Sequence, residues 1–408
     1  MSAAPTGTNG QATVGPVKPA WRRGSAALNR ILGKRSVEAS LSVVAFLVLF
    51  AIYGIWLGNL FLNVDARLLD IHQSVPILML ALAVLITLVA GLFDLSVAAM
   101  ATLTTFLTIG LRANQGWPFV WVLIACIGIG LVGGLLNGLL VEVFHVNAFI
   151  ATLGTGGMFV GLSAAYSGGT QVTPIAGRPP LPNWFSDLGA YSQKCPSWVL
   201  IVALALAAIG VFAAMGRLKP RRWSDLGWLV GRLVIIAAVA LALVFGLNLP
   251  KWLSHTSWLV VLLILTALIL WVMIQLTTYG RYLRAIGANR TAAQLAGVRV
   301  RREVIKAFMI GGVLAALAGV FLAASQGSAA PNIAGSFLLP AFAAAFLSTV
   351  VFSTGNFTVW GTLLGGIFLT WVSIGLIIGG VPATWTDVVN GIVLIVAVAL
   401  STAVRRSR

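Results

Sequence analysis

The chain has 408 residues, 59% hydrophobic and only 9% charged, with a formal net charge of +17. A soluble domain carries about a quarter charged residues, so this composition excludes a water-soluble enzyme or binding module. The apolar residues come in blocks of about 20, the length that spans hydrocarbon as a helix, which implies an all-α, polytopic transmembrane bundle.

Residues 1–20 are rich in Gly, Ala, Pro and Thr without apolar periodicity and read as a disordered tail. Arg22, Arg23, Arg30, Lys34 and Arg35 then form a basic anchor, so residues 1–35 are expected to be a cytoplasmic N-terminal tail. The membrane domain is expected over 36–404. Hydropathy and length place about ten to twelve spans, at 40–61, 73–93, 96–112, 118–140, 147–166, 197–215, 228–247, 257–277, 305–324, 336–352, 357–379 and 385–403. Asp94 interrupts the stretch 73–112, which reads either as two spans or as one span plus a partly inserted broken helix. The long connection 167–196 carries Pro174, Pro179, Pro180 and Pro182 and is expected to be ordered by turns rather than helix.

With the basic tail inside, the loops 216–227 and 278–304 and the C-terminal Arg405, Arg406 and Arg408 also fall inside. The loops at 112–117, 167–196, 248–256 and 380–384 fall outside and are poor in Lys and Arg. Every basic cluster lands on one face, which orients the chain with both termini cytoplasmic in the cell membrane. The positive charge is thus explained by insertion and by attraction to anionic lipid headgroups, not by nucleic acid.

The segment 280–306, GRYLRAIGANRTAAQLAGVRVRREVIK, is a basic island between apolar runs. Arg281, Arg284, Arg290, Arg299, Arg301, Arg302 and Lys306 stand against a single acid, Glu303. Its core reads as a short helix. Thr291 and Gln294 have the spacing of a capping box, Ala292 to Ala296 favour helix, and Gly297 offers a stop. A helix this short needs packing to persist. Composition alone allows either an ordered loop or a docking site for a partner.

Polar residues within the apolar runs are few. Asp94 with Ser96 reads as a cap for the next helix or as a break lining a path. Asn137, Asn147, Thr152, Thr155 and Gln326 read as interhelical hydrogen-bonding groups or as a weakly polar lining. Gly134-x-x-x-Gly138 and Gly361-x-x-x-Gly365 are helix-packing signals. Cys126, Cys195, His72, His145 and His255 have no metal-ligand spacing, so neither a metal nor a cofactor is expected. No G-x-x-x-x-G-K-[ST] motif is present, and the three Glu, six Asp and three His are too scattered for a catalytic cluster.

AIGANRTAAQLAGVRVRR at 285–302 resembles the cytoplasmic coupling loop of the permease subunits of ATP-binding-cassette monosaccharide importers, of the ribose and xylose type. GLFDLSVAAM at 91–100, GGLLNGLLVEVFHVNAFIATLGTGGMFVGL at 133–162, SGGTQVTP at 167–174, LPAFAAAFL at 339–347 and VWGTLLGG at 359–366 are similar to further family segments, in order, over about residues 75 to 400. The extra basic loop and apolar segment between about 214 and 258 are closer in layout to xylose-type members. The resemblance implies a permease with no catalytic residues of its own. It implies a separate ATPase subunit docking on 278–304, an extracytoplasmic sugar-binding protein, and a second permease copy in a homodimer. It assigns the ATPase contact to Gly287, Asn289, Ala293, Leu295 and Gly297, flanked by Arg284 and Arg290. Two departures stand out: Ala98 where the family commonly has Gly, and FLSTVVFSTGNFTVWG where many members have a Gly-rich turn. An ATP-independent carrier or channel for small polar solutes is the rival reading. The scarcity of ionisable groups within the spans weighs against it.

Overall fold

The computed structural model describes residues 48–199, 251, 254–351 and 356–406. The expected tail 1–35, the expected spans 197–215 (all but its first three residues) and 228–247, and the basic loop 216–227 lie outside the described residues. Among the described residues every regular element is a helix, and β-type pairing is confined to two isolated bridges between loops. Six of its helices are long and apolar enough to cross a membrane.

The first described pieces are α1 (Val48–Leu57) and α2 (Asn59–Leu62), separated at Gly58, whose φ of 54° breaks the helix. Next comes α3 (Val64–Val89), about 39 Å long at the ordinary helical rise. It starts nine residues before the span expected from hydropathy. Asn63 caps it, its side chain accepting from the Asp65 and Ala66 N–H groups at 2.9 and 3.3 Å. Arg67 and Asp70 lie one turn apart and pair at 2.9 Å, while the guanidinium also covers the Phe61 ring. Two charges that neutralise each other within one helix can be buried where a residue-by-residue hydropathy sum places them in water.

The backbone is non-helical from Gly91 to Ser96, then resumes as α4 (Val97–Ile109), which a π-helical turn prolongs over Gly110–Asn114. At about 20 Å, α4 without its π-helical extension is shorter than the hydrocarbon core. Hydrocarbon tolerates non-helical backbone only where protein surrounds it. The helices α5 (Phe119–Glu142) and α6 (Ala148–Ser167) supply part of that cover.

In the connection after α6 a seven-residue helix, α7 (Asn183–Gly189), forms where turns were expected. Pro182 stands at its N-cap, and Phe185 drives it inward, its ring centroid 4.5 Å from that of Phe119. The remaining elements are α8 (Trp258–Leu276), α9 (Thr278–Ala288), α10 (Arg290–Leu295), α11 (Val300–Gln326), α12 (Leu338–Val351), α13 (Val359–Ile378) and α14 (Trp385–Arg406).

Buried along most of their length, α3 and α11 form the centre. Close approach is set by small residues. A Cβ at Gly130, Gly134 or Gly138 on α5 would overlap Gly312, Phe308 or Ile305 on α11, so the stripe read as a packing signal is the α5–α11 seam. Gly365 on α13 likewise lies against Ala344 and Leu347 of α12.

The two ends of the bundle differ. The connections around 167–196 and 254–257 converge on one. Cys195 N–H donates to the Thr256 carbonyl at 2.8 Å, Tyr191 Oη donates to the Asp65 carbonyl at 2.8 Å, and Val172 pairs with Ala329. His72 Nε2 donates to the Gly189 carbonyl at 3.0 Å, which leaves Nδ1 as the acceptor for the Ser257 hydroxyl at 2.7 Å. The segment 277–300 folds across the other end.

Candidate functional site

The basic island forms two short helices. Thr277 opens α9, its hydroxyl accepting from the Gly280 N–H. Apolar Leu283 and Ile286 face inward, while Arg281 and Tyr282 face out. Chain direction then changes at Asn289, which caps α10 by accepting from the Ala292 N–H at 2.9 Å. The capping box expected from Thr291 and Gln294 is therefore displaced. Asn289, extended at φ −159° and ψ 106°, occupies the cap, and Thr291 is already inside the first turn.

The far end closes as sequence predicts. Gly297, with φ 83°, is left-handed. Its N–H donates to the Gln294 carbonyl at 2.9 Å, and the Val298 N–H donates to the Ala293 carbonyl at 3.0 Å. This paired arrangement is a Schellman stop. Six residues are thus held by a cap at each end.

Packing fixes the underside. Ala293, only 4% exposed, joins Val141, Ala151, Ile286, Val300, Val304 and Phe308 in a cluster built from the ends of α5, α6, α9 and α11. Arg290 forks onto Glu142, the last residue of α5, through Nη1 to Oε1 at 2.8 Å and Nη2 to Oε2. The Glu142 carboxylate is buried, whereas Arg290 is partly in water. Arg284 Nη1 donates to Gln275 Oε1 at 2.9 Å. Burial, and to a lesser degree Arg281, hold its guanidinium below its ordinary pKa. Gly287 lies so close to the backbone of Val89 and Ala90 that a Cβ there would overlap it. Leu295, in contrast, is 86% exposed. A large apolar side chain displayed in water on a helix fixed from beneath is what a docking point requires.

The second constellation is the break before α4. Asp94 Oδ1 accepts from the Ser96 N–H at 3.0 Å and from its hydroxyl at 2.6 Å. Asn137 Nδ2 donates to Ser96 Oγ at 2.8 Å, and Thr155 Oγ1 donates to Asn137 Oδ1 at 2.6 Å. Thr152 Oγ1 accepts from the Leu95 N–H at 3.1 Å. Five of the residues singled out from sequence therefore converge, all buried. They bind irregular backbone to α5 and α6 and satisfy it in an apolar setting. The other two stand apart. Asn147 caps α6 at the basic end, accepting from the Phe149 N–H at 2.9 Å. Gln326 is exposed at the opposite end of α11.

Two features escaped the sequence reading. The Arg290–Glu142 pair joins positions 148 residues apart, so no local pattern signals it. Phe93, 42% exposed beside the buried network, stacks on Phe342 with centroids 6.0 Å apart. Its position beside Asp94 in the segment 91–100 is the sequence signal that marks it.

The two constellations are mechanically joined. Asn137 and Glu142 lie five residues apart on α5, so the clasp to the loop and the hydrogen bonds to the break share one rigid rod. Gly91, at the start of the break, also lies against Gly287.

A family model described as "Branched-chain amino acid transport system / permease component" matches residues 70–398. The galactose/methyl galactoside import permease protein of Haemophilus influenzae is 28% identical over 69% of this chain and 67% of its own length. The autoinducer 2 import system permease protein of Escherichia coli K12 is 27% identical over 90% of this chain and 87% of its own. Its counterpart from an Enterobacter species is 29% identical over 89% and 87%. No solved structure matches the chain.

Proposed function

The chain belongs to the branched-chain amino acid transport system / permease component family, a family of transport permeases, and on that premise we propose that it is the membrane-spanning subunit of an ATP-driven monosaccharide importer. The single observation that carries this reading is Leu295. It is presented to water by a doubly capped helix whose underside is fastened to three spans. A separate ATPase subunit docks there, on loop 278–304, with Arg284, Gly287, Asn289, Arg290, Ala293 and Gly297 shaping and bracing the contact. The basic end is then cytoplasmic, as are both termini, which agrees with the distribution of Lys and Arg. The opposite end, with its ordered connections, receives an extracytoplasmic sugar-binding protein. Two copies of the chain enclose the path.

Import of galactose by one relative and of autoinducer 2 by others supports a small polar cargo of sugar type. The chain's own chemistry fits weak handling of such a cargo. Phe93 offers an aromatic face, and the break offers hydroxyl and amide groups once it opens.

Closure of the ATPases would press on α10. The Arg290–Glu142 clasp would pass that displacement to α5, and Asn137 would pass it to the backbone around Asp94 and Ser96. Irregular backbone held by exchangeable side-chain hydrogen bonds is the part of this bundle best able to adopt two arrangements. The test is reconstitution in proteoliposomes with and without an ATPase subunit of an importer of this family. Transport that requires the ATPase and ATP is expected. Transport without either would establish the ATP-independent carrier instead.

A further inference from the structure

A groove of about 550 Å³ lies where α5, α8, α9 and α11 meet. Its walls are Leu131, Met273, Met309, Ile310, Val313 and Leu314. Thr277, Tyr279 and Lys306 complete the lining at the end nearest the basic loop. Among the described residues the Tyr279 hydroxyl is buried without a hydrogen-bond partner beside this groove. Lys306 Nζ lies 5.8 Å from the Tyr279 ring centroid and 3.0 Å from Glu303 Oε1, yet half its side chain remains open.

Helical spacing extends the polar end. Arg302, Lys306, Met309 and Val313 follow one another at intervals of four, three and four, hence along one stripe of α11. Arg302 is exposed and takes part in none of the ion pairs found among the described residues. It leaves one net positive charge at the mouth after Glu303 has offset Lys306. An apolar channel running into the bilayer from an uncompensated cation has the pattern of an anionic phospholipid.

We propose that this groove is a binding site for one anionic phospholipid, an acyl chain lying along Met309 and Val313 and the phosphate meeting Arg302 and Lys306 at its mouth. The proposal needs only a membrane-spanning chain and stands apart from the identity of the cargo or of the ATPase. Methionines suit a flexible chain, because Met273 and Met309 adapt their rotamers to it. Thr277 ends α8 and caps α9, so the lipid sits at the base of the loop that carries Leu295.

The experiment uses the full chain in nanodiscs of mixed phosphatidylglycerol and phosphatidylcholine, followed by native mass spectrometry of the lipids retained after detergent extraction. The native chain is expected to retain phosphatidylglycerol selectively. Arg302→Ala is expected to reduce that retention roughly 5-fold, the effect of one basic residue near a charged surface. Met309→Trp, which fills the groove and alters no charge, is expected to abolish it. Thermal melts confirm that each variant is folded. For any variant that is not, Arg302→Gln and Val313→Trp take its place. Equal retention of both lipids by the native chain, or unchanged selectivity in either folded variant, would overturn the proposal. So would efficient disulfide formation between copies carrying Val313→Cys, which would show that a second copy covers the groove.

Discussion

The loop helix α10 and the break before α4 are opposites. In the loop, an apolar side chain stands in water while its surroundings are polar and fastened. At the break, a carboxylate, a hydroxyl and an amide stand in an apolar bundle and satisfy one another. Each places a residue in the wrong solvent, and each does so beside strong local support. The difference lies in what completes the arrangement. The network at Asp94 is closed by residues of this chain, so its polarity is explained from within. Among the described residues nothing closes over Leu295, and on the proposed reading a second protein does.

Breaking the link between the two regions should have the largest effect. Arg290→Ala leaves the Glu142 carboxylate, 1% exposed, without its counter-charge, at a cost of roughly 3 kcal/mol. A melting temperature well below the native value is expected in detergent. Exchange of the two, Arg290→Glu with Glu142→Arg, is expected to recover part of it. On the proposed reading the clasp transmits more than it recruits, so cargo-stimulated ATP hydrolysis in the assembled complex should fall further than ATPase binding. A variant as stable and as well coupled as the native chain would remove the clasp from the account.

The next effect belongs to the break. Asn137→Leu deprives Ser96 and Thr155 of partners, at about 1–3 kcal/mol. Hydrogen exchange is expected to rise over residues 91–100 while the loop stays protected. Equal exchange in both would mean that the two regions melt as one unit.

Smaller effects sharpen the loop. Gly297→Ala puts a side chain on a left-handed residue and should cost about 1 kcal/mol, read as faster exchange across 290–298. Asn289→Ala removes the cap for about 1 kcal/mol, whereas Thr291→Ala should fall within about 0.5 kcal/mol of native. The reverse order would restore Thr291 as the cap.

Much of this contrast was legible in the sequence. The helix boundaries of α5, α6, α8 and α13 fall within two residues of the expected spans, because long apolar runs with clear flanks leave little freedom. The stop at Gly297 was readable because only glycine adopts that backbone without strain. The start of α3 was not, since pairing between Arg67 and Asp70 hides two charges that hydropathy counts at full cost. Nor was α7, whose seven residues are held by Phe119 from a distant span. At the break, Asp94, Ser96, Asn137, Thr152 and Thr155 were each suspect, but their convergence depends on how three helices meet. The cap at Asn289 was missed for a local reason: two polar residues could each open the helix, and backbone direction chose between them.

The most direct measurement is capture of that ATPase subunit by the detergent-solubilised native chain and by Leu295→Glu. An acid at a position 86% exposed cannot disturb the fold, so both proteins should melt alike. The account predicts a complex with the native chain that the charge weakens at least tenfold or abolishes, because binding would bury an unpaired carboxylate. Equal capture by the two chains would contradict it, since the exposed leucine would then not be the docking point on which the proposed function rests.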